Sequence, residues 1–153
     1  MKLKQITNKD QLGLKEVYFD SICSIDENMY SKEHKVAWAC HAWENFEFEK
    51  SLLQGRGSKL IYNNDIIGFA TRYPENRLSL LYVRGNFKKK GFGTMILNNI
   101  ERDALKSGIN KLNTEASLIS YKLLLKRNWE IDRKEKVNIN GLIFERYKMF
   151  KIL

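Results

Sequence analysis

The sequence predicts an α/β (α+β) fold, with a mixed, mostly antiparallel central sheet flanked by helices. Three observations predict it. Apolar residues recur at helical spacing through the first third of the chain. A block of short, β-rich segments separated by Asn, Pro and Gly turns follows between residues 58 and 83. Helix and strand patterns then alternate before a closing hairpin around Asn138-Ile139-Asn140-Gly141.

Taken in order, residues 2–6 alternate apolar and polar, and Thr7-Asn8-Lys9-Asp10 supplies turn and N-cap chemistry. Between residues 11 and about 28, Leu12, Leu14, Val17, Tyr18, Ser21, Ile22 and Ile25 form an amphipathic stripe. Ser31 is placed to cap a second helix, whose Ser-Lys-Glu-His opening is close to a capping box and whose apolar members are Val36, Ala37, Trp38, Cys40 and Ala42. A shorter helix at residues 46–53 ends at Gln54-Gly55-Arg56-Gly57.

Strands are expected at residues 58–62, 66–72 and 78–83, joined by the hairpin turn Asn63-Asn64-Asp65 and by Pro74-Glu75-Asn76. A helix runs to about Ser107 and stops at Gly108. A short strand at 111–115, a helix at 117–127 carrying Leu118, Tyr121, Leu124 and Leu125, and strands at 129–136 and 141–150 complete one domain spanning residues 1–153. The predicted order is βααα-βββ-α-β-α-ββ, with no repeat, linker or low-complexity stretch.

Composition narrows the class. A chain of this size buries roughly 68–70% of its unfolded surface, so it needs no disulfide or metal as a staple. Hydrophobic residues at 43% and charged residues at 29% are ordinary for a globular domain. No apolar run reaches the ~18–20 residues of a membrane span, and MKLKQITNKDQ lacks the apolar core of a signal peptide, so a cytoplasmic location without membrane association is expected.

Cys23 and Cys40 show no CxxC or zinc-ligand spacing, and His41 points away from Cys40 on a helix, so both are expected to be structural thiols and no metal is expected. The net charge of +9 admits nucleic acid, an acidic substrate or a polyphosphate cofactor. Dispersed along the chain, this charge is weak evidence for nucleic-acid binding, and it slightly disfavours a polycationic substrate, which it would repel.

The segment from Arg77 to Asn99 carries the chemistry. An apolar strand (Leu78, Leu80, Leu81, Tyr82, Val83) breaks into Lys88-Lys89-Lys90-Gly91-Phe92-Gly93, and after Thr94 the residues Met95, Ile96, Ile100, Ala104 and Leu105 fall at helical spacing. Strand, glycine turn and helix together aim backbone N–H groups at one point, and a helix start adds partial positive charge, so that point suits a phosphate. The GxxxxGK-Ser/Thr loop of nucleotide triphosphatases is absent. The GxGxxG dinucleotide fingerprint lacks its third glycine and its βαβ setting.

The segment resembles the coenzyme A signature of the GNAT superfamily of acyl-CoA N-acyltransferases, Gln/Arg-x-x-Gly-x-Gly/Ala. Lys88, Gly91 and Gly93 occupy its three defining positions, with Lys88 in place of Gln or Arg and Lys89 in place of a frequent glycine. Lys126-Arg127-Asn128-Trp129 is similar to the superfamily's Lys-x-Gly-Phe ending. The Asn140-Gly141 hairpin and Tyr147-Lys148-Met149-Phe150-Lys151 resemble its closing strand. Tyr30-Ser31-Lys32-Glu33 with Val36-Ala37-Trp38-Ala39 resembles a subgroup of small bacterial members.

The resemblance implies acetyl-CoA as co-substrate and an amine acceptor, with pantetheine between two splayed strands. Leu81, Tyr82 and Val83 would offer main-chain bonds to the acyl group and pantetheine. Lys88, Lys89, Lys90, Gly91, Phe92, Gly93 and Thr94 would hold the pyrophosphate, and Ser117 would face the cofactor where the family often has Asn. The family's frequent acid-donating Tyr is replaced by Leu124, so Tyr121, three residues earlier on the same helical face, is the first substitute. Tyr82 and Tyr147 are further hydroxyls at the cleft. Glu115 is the candidate base, with His34 and Glu33 behind it. Trp38, Trp43 and Tyr30 are expected in the core.

No charge constellation for the acceptor is visible in the linear order, and a monomer or homodimer is expected. Two alternatives stand beside the enzyme: a non-catalytic acyl-CoA sensor and a basic nucleic-acid-binding protein.

Overall fold

The computed structural model describes residues 1–41 and 46–153; Ala42 and Trp43, expected in the second helix and the front core, lie outside the described residues. The elements are β1 (Lys2–Gln5), α1 (Gln11–Cys23), α2 (Lys32–His41), α3 (Phe46–Leu53), β2 (Arg56–Tyr62), β3 (Asp65–Arg72), β4 (Leu78–Val83), α4 (Phe92–Lys106), β5 (Lys111–Ala116), α5 (Ser120–Lys126), β6 (Glu130–Ile139) and β7 (Leu142–Ile152). Short 3₁₀ turns stand at Asn8–Asp10 and Gly85–Phe87. The order is the predicted one.

Local chemistry explains most boundaries. Asn63 and Asn64 both adopt positive φ (47° and 67°), the backbone of a two-residue hairpin turn between β2 and β3. Asn140 and Gly141 repeat this between β6 and β7, at 50° and 82°. Helix α4 closes with Gly108 left-handed and the Ile109 N–H on the Ala104 carbonyl at 3.0 Å; α5 closes likewise, with Asn128 left-handed and the Trp129 N–H on the Leu124 carbonyl at 3.0 Å.

Two boundaries differ from expectation. Helix α1 stops at Cys23, because the next turn tightens, the Ile25 N–H donating to the Ile22 carbonyl at 3.0 Å. Helix α5 begins at Ser120, because the Ser117 hydroxyl takes the N–H groups of Ile119 and Ser120 and so caps the helix from outside it. Ser31 caps α2 as expected, by accepting the His34 N–H at 3.1 Å. The reciprocal side chain is His34, whose Nδ1 lies 2.6 Å from the Ser31 hydroxyl, and not a glutamate.

The strands form two antiparallel sheets, β1-β2-β3-β4 and β5-β7-β6. A parallel bridge between Arg77 and Asn113 joins them, and the Thr114 hydroxyl donates to the Leu78 carbonyl at 2.7 Å. The parallel character of the mixed sheet is confined to this seam. Past Leu78 the two strands are no longer paired, and a gap opens between the ends of β4 and β5. One core lies on the α4–α5 face, around Ile96, Leu97, Ile100, Leu112, Leu124 and Trp129. The other lies on the α1–α3 face, around Leu14, Tyr18, Ile22, Phe69, Leu80 and Phe144. Among the described residues no helix is long and apolar enough to cross a membrane.

Thr114→Val keeps the side-chain shape but leaves the Leu78 carbonyl without that donor. It is expected to cost about 1–3 kcal/mol of unfolding free energy, read by urea denaturation. An unchanged midpoint would show that the seam does not depend on this hydroxyl.

Candidate functional site

The free edge of β4 follows from its pairing with β3. Tyr82 stands opposite Phe69, Val83 opposite Gly68, and the Arg84 N–H donates to the Ile67 carbonyl at 2.8 Å. Antiparallel alternation then turns the main chain of Leu80 and Tyr82 toward β3 and that of Leu81 and Val83 toward the gap. Of the three residues expected to offer main-chain bonds, Leu81 and Val83 are placed to do so, whereas the Tyr82 main chain is committed to the sheet. The Tyr82 side chain points to the α1–α3 face, where its ring meets Tyr18 at 4.8 Å and Phe69 at 5.9 Å.

At the same end of β4 the chain enters the glycine turn. Gly91 takes φ +84°, with open space where a side chain would stand, and α4 starts at Phe92, earlier than the apolar spacing alone suggests. The first bond of this helix start is the Met95 N–H on the Gly91 carbonyl, so the N–H groups of Phe92, Gly93 and Thr94 precede it and point outward. Lys89, where the family often has glycine, adopts the left-handed backbone itself, at φ 59°. A side chain on Gly93 would begin 3.2 Å from Leu123 of α5, so α5 packs closely against the start of α4.

Lys88 stands apart from its two neighbours. Its N–H donates to the Gly85 carbonyl at 3.2 Å, and its ammonium reaches the Ser21 carbonyl and the Ser24 hydroxyl at the end of α1. Burial pulls its pKa down. Together with the Gly85 N–H on the Asp20 carboxylate at 2.8 Å, Lys88 docks the turn onto α1. Its hydrogen-bonding groups are thus spent within the protein, while Lys90 and the remaining N–H groups stay outward.

The candidate hydroxyls and carboxylates divide between the two faces. Tyr121 and Tyr147 stack at 4.5 Å on the α4–α5 face. Leu124 is only 1% exposed and belongs to the core beside Trp129, so this position does not face the gap. Glu115 lies on the opposite face and holds Arg77 Nε at 2.9 Å. His34 is bound at both nitrogens, Nδ1 to Ser31 and Nε2 3.0 Å from the Ile143 carbonyl, and ties α2 to the last hairpin. Ser117 caps α5 at the mouth of the gap.

Sequence reasoning placed Tyr30 in the core and missed its hydroxyl. The ring is buried between Trp38 (5.3 Å) and Phe144 (6.1 Å), but the hydroxyl emerges at the β5–α5 junction and accepts the Leu118 N–H at 3.0 Å. Burial raises its pKa, which keeps the hydroxyl protonated at neutral pH. Only tertiary packing brings it there. Cys23 and Cys40 are free and exposed rather than structural, and with Phe19 and Val36 they line a groove of about 210 Å³ between α1 and α2. No cluster of metal-ligating side chains occurs among the described residues.

This architecture is that of known acetyltransferases. The family model for the acetyltransferase (GNAT) domain matches residues 27–150, and the chain belongs to that family. Its fold is similar to a GCN5-related N-acetyltransferase from Rhodopseudomonas palustris (24% identity, 99% of this chain and 95% of that one, TM-score 0.89). It is also similar to the PaiA N-acetyltransferase from Thermoplasma acidophilum in complex with coenzyme A (18% identity, all of both chains, TM-score 0.70). A third likeness is to yncA, a putative acetyltransferase from Salmonella typhimurium with acetyl-CoA (14% identity, 99% and 93%, TM-score 0.69). No curated protein sequence matches the chain.

Lys88→Met keeps the apolar stem but removes the ammonium that docks the turn on α1. A loss of about 2 kcal/mol in unfolding free energy is expected, the worth of hydrogen bonds from a charged donor, read by chemical denaturation. A change within experimental error would mean the turn is held by its backbone alone.

Proposed function

We propose that the protein is an N-acetyltransferase that moves the acetyl group of acetyl-CoA onto a primary amine of a small molecule or a protein, by direct attack of the amine on the thioester. One observation carries this reading: the unpaired main chain of Leu81 and Val83 and the free N–H groups at the start of α4 converge on one end of one gap. The first set suits the amides of a pantetheine arm and the second a pyrophosphate. The residues fit the cofactor, because the outward N–H groups, the left-handed turn and the open space at Gly91 leave room for the phosphates beside Lys89 and Lys90.

In this reading the chain contributes chiefly position. Holding two reactants in line contributes up to roughly 7–11 kcal/mol toward such a reaction. The Val83 N–H polarises the thioester carbonyl. Lys89 and Lys90 draw the anionic cofactor in, and Lys88 fixes the turn that presents the N–H groups. Glu115, held by Arg77, acts through water as the base that receives the amine proton. Tyr121, stacked on Tyr147, supplies a proton to the departing thiolate. A thiol's pKa near ~8.5 makes that donor helpful rather than obligatory. Tyr30 holds the Leu118 N–H and so sets the wall of the gap beside Ser117.

A second reading, an acyl-CoA sensor without turnover, is favoured by the burial of Leu124 at the position of the family's acid. Thiol release from acetyl-CoA with a panel of amines separates the two. Turnover is expected, and Tyr121→Phe is expected to lower kcat by roughly ten- to hundredfold with little change in KM for acetyl-CoA. Tight acetyl-CoA binding without thiol release on any amine, and no effect of Tyr121→Phe, would instead establish the sensor.

A further inference from the structure

The two faces of the gap are chemically unlike. On the reading above, the cofactor occupies the face of α4 and α5, so an amine reaches the thioester from the opposite face. There α1 and α3 cover β3 and β4, and α2 covers the tip of the β6–β7 hairpin, where Phe144 joins the core. Strand alternation places Arg146 and Lys148 on the same face as Phe144, further along β7. Cross-strand pairing adds Glu135 beside Arg146, Arg133 beside Lys148 on one side, and Glu115 beside Lys148 on the other. Tyr147, next to Arg146, stands opposite Ala116, the last residue of β5, so Arg146 lies level with the open end of the gap.

The charges on this face do not balance. Against the three cations Arg133, Arg146 and Lys148 stands the one carboxylate of Glu135, which Arg146 engages through Nε and Lys148 approaches only to 3.8 Å. Glu115 is committed to Arg77, which Glu47 also reaches at 3.8 Å. The two terminal amino groups of Arg146 meet no acceptor among the described residues, and its side chain is 37% exposed. A guanidinium anchored at Nε, with its terminal fork free, has the geometry that binds a planar or tetrahedral anion through two parallel hydrogen bonds.

We propose that the acceptor carries an anionic group, a carboxylate or a phosphate, beside its amine, and that Arg146 binds this group with Lys148 and Arg133 adding field. The proposal rests on the acetyltransferase reading and names its substrate class. It disfavours polyamines, whose second ammonium would face these cations, and the surrounding positive charge favours the neutral form of the attacking amine.

The test uses matched acceptors that differ only in the anion: α- and β-amino acids against their amides, and phosphoethanolamine against ethanolamine, which separates a carboxylate from a phosphate. The quantity read is the ratio of kcat/KM for the anionic member over the neutral one. Comparing that ratio between wild type and variant cancels differences in amine pKa. The wild type is expected to prefer an anionic member. Arg146→Gln is expected to reduce that preference roughly ten- to hundredfold while leaving KM for acetyl-CoA in place.

The double variant Arg146→Gln, Glu135→Gln gives the same readout without stranding a carboxylate, should the single change fail to fold. Calorimetric binding of the same pairs in the presence of coenzyme A reads the preference even if no acetyl transfer occurs, so this proposal and the enzymatic reading fail separately. Equal handling of both members, or a preference untouched by loss of the guanidinium, would overturn it.

Discussion

The parting of β4 from β5 is the constraint on which the rest of the site depends. Strand edges are costly to leave open, because each unpaired N–H and C=O must find a partner or water. Here two strands start in contact, through the Arg77–Asn113 bridge and the Thr114 hydroxyl on the Leu78 carbonyl, and then diverge within a few residues. On their far sides β4 pairs with β3 and β5 pairs with β7. In the reading proposed above, that unpaired edge is a docking strip for an extended polar chain. The helix start that caps its open end gives that strip a polarity.

The gap also divides the protein's chemistry. On the α4–α5 face stand outward N–H groups, two exposed lysines and a stacked pair of tyrosines. On the other stand paired and half-paired ions, among them the carboxylate of Glu115. Burial raises the pKa of Tyr30 and of Tyr82, so these hydroxyls stay protonated through the physiological range. In the reading proposed above, base chemistry falls to the Glu115 carboxylate or to water that it orders.

Much of this was legible in the chain. The hairpin asparagines, the Gly108 stop and the strand–turn–helix of residues 77–99 each have a local cause, and each appears where local chemistry puts it. The glycine turn keeps its backbone geometry despite the two departures from the signature it resembles. Lys89 adopts the left-handed φ of the glycine it stands for, and Lys88 braces the turn against α1. What the sequence hid is tertiary. Leu124 and Tyr121 share a helical stripe, yet Leu124 is buried in the core beside Trp129 while Tyr121 stays partly exposed at its edge. Tyr30 reads as an apolar member of the front helices, and nothing local shows that its hydroxyl reaches Leu118, 88 positions away. Arg133, Glu135, Arg146 and Lys148 look like an ordinary solvated hairpin until register places them on one face beside the gap.

The segment between the end of α1 and the start of α2 links these observations. At one end, Ser21 and Ser24 receive the ammonium of Lys88, and Asp20 receives the Gly85 N–H, so this end holds the turn that leads into α4. At the other end, Tyr30 receives the Leu118 N–H and holds the junction of β5 with α5. One short stretch of chain thus grips both walls of the gap, from the side where β4 and β5 do not touch. The seam at Thr114 sets the closed end and this strap sets the open one. Each strap contact pairs a donor with an acceptor on a different element, so widening the gap breaks a hydrogen bond rather than merely loosening packing. That arrangement holds the width of the gap without filling it.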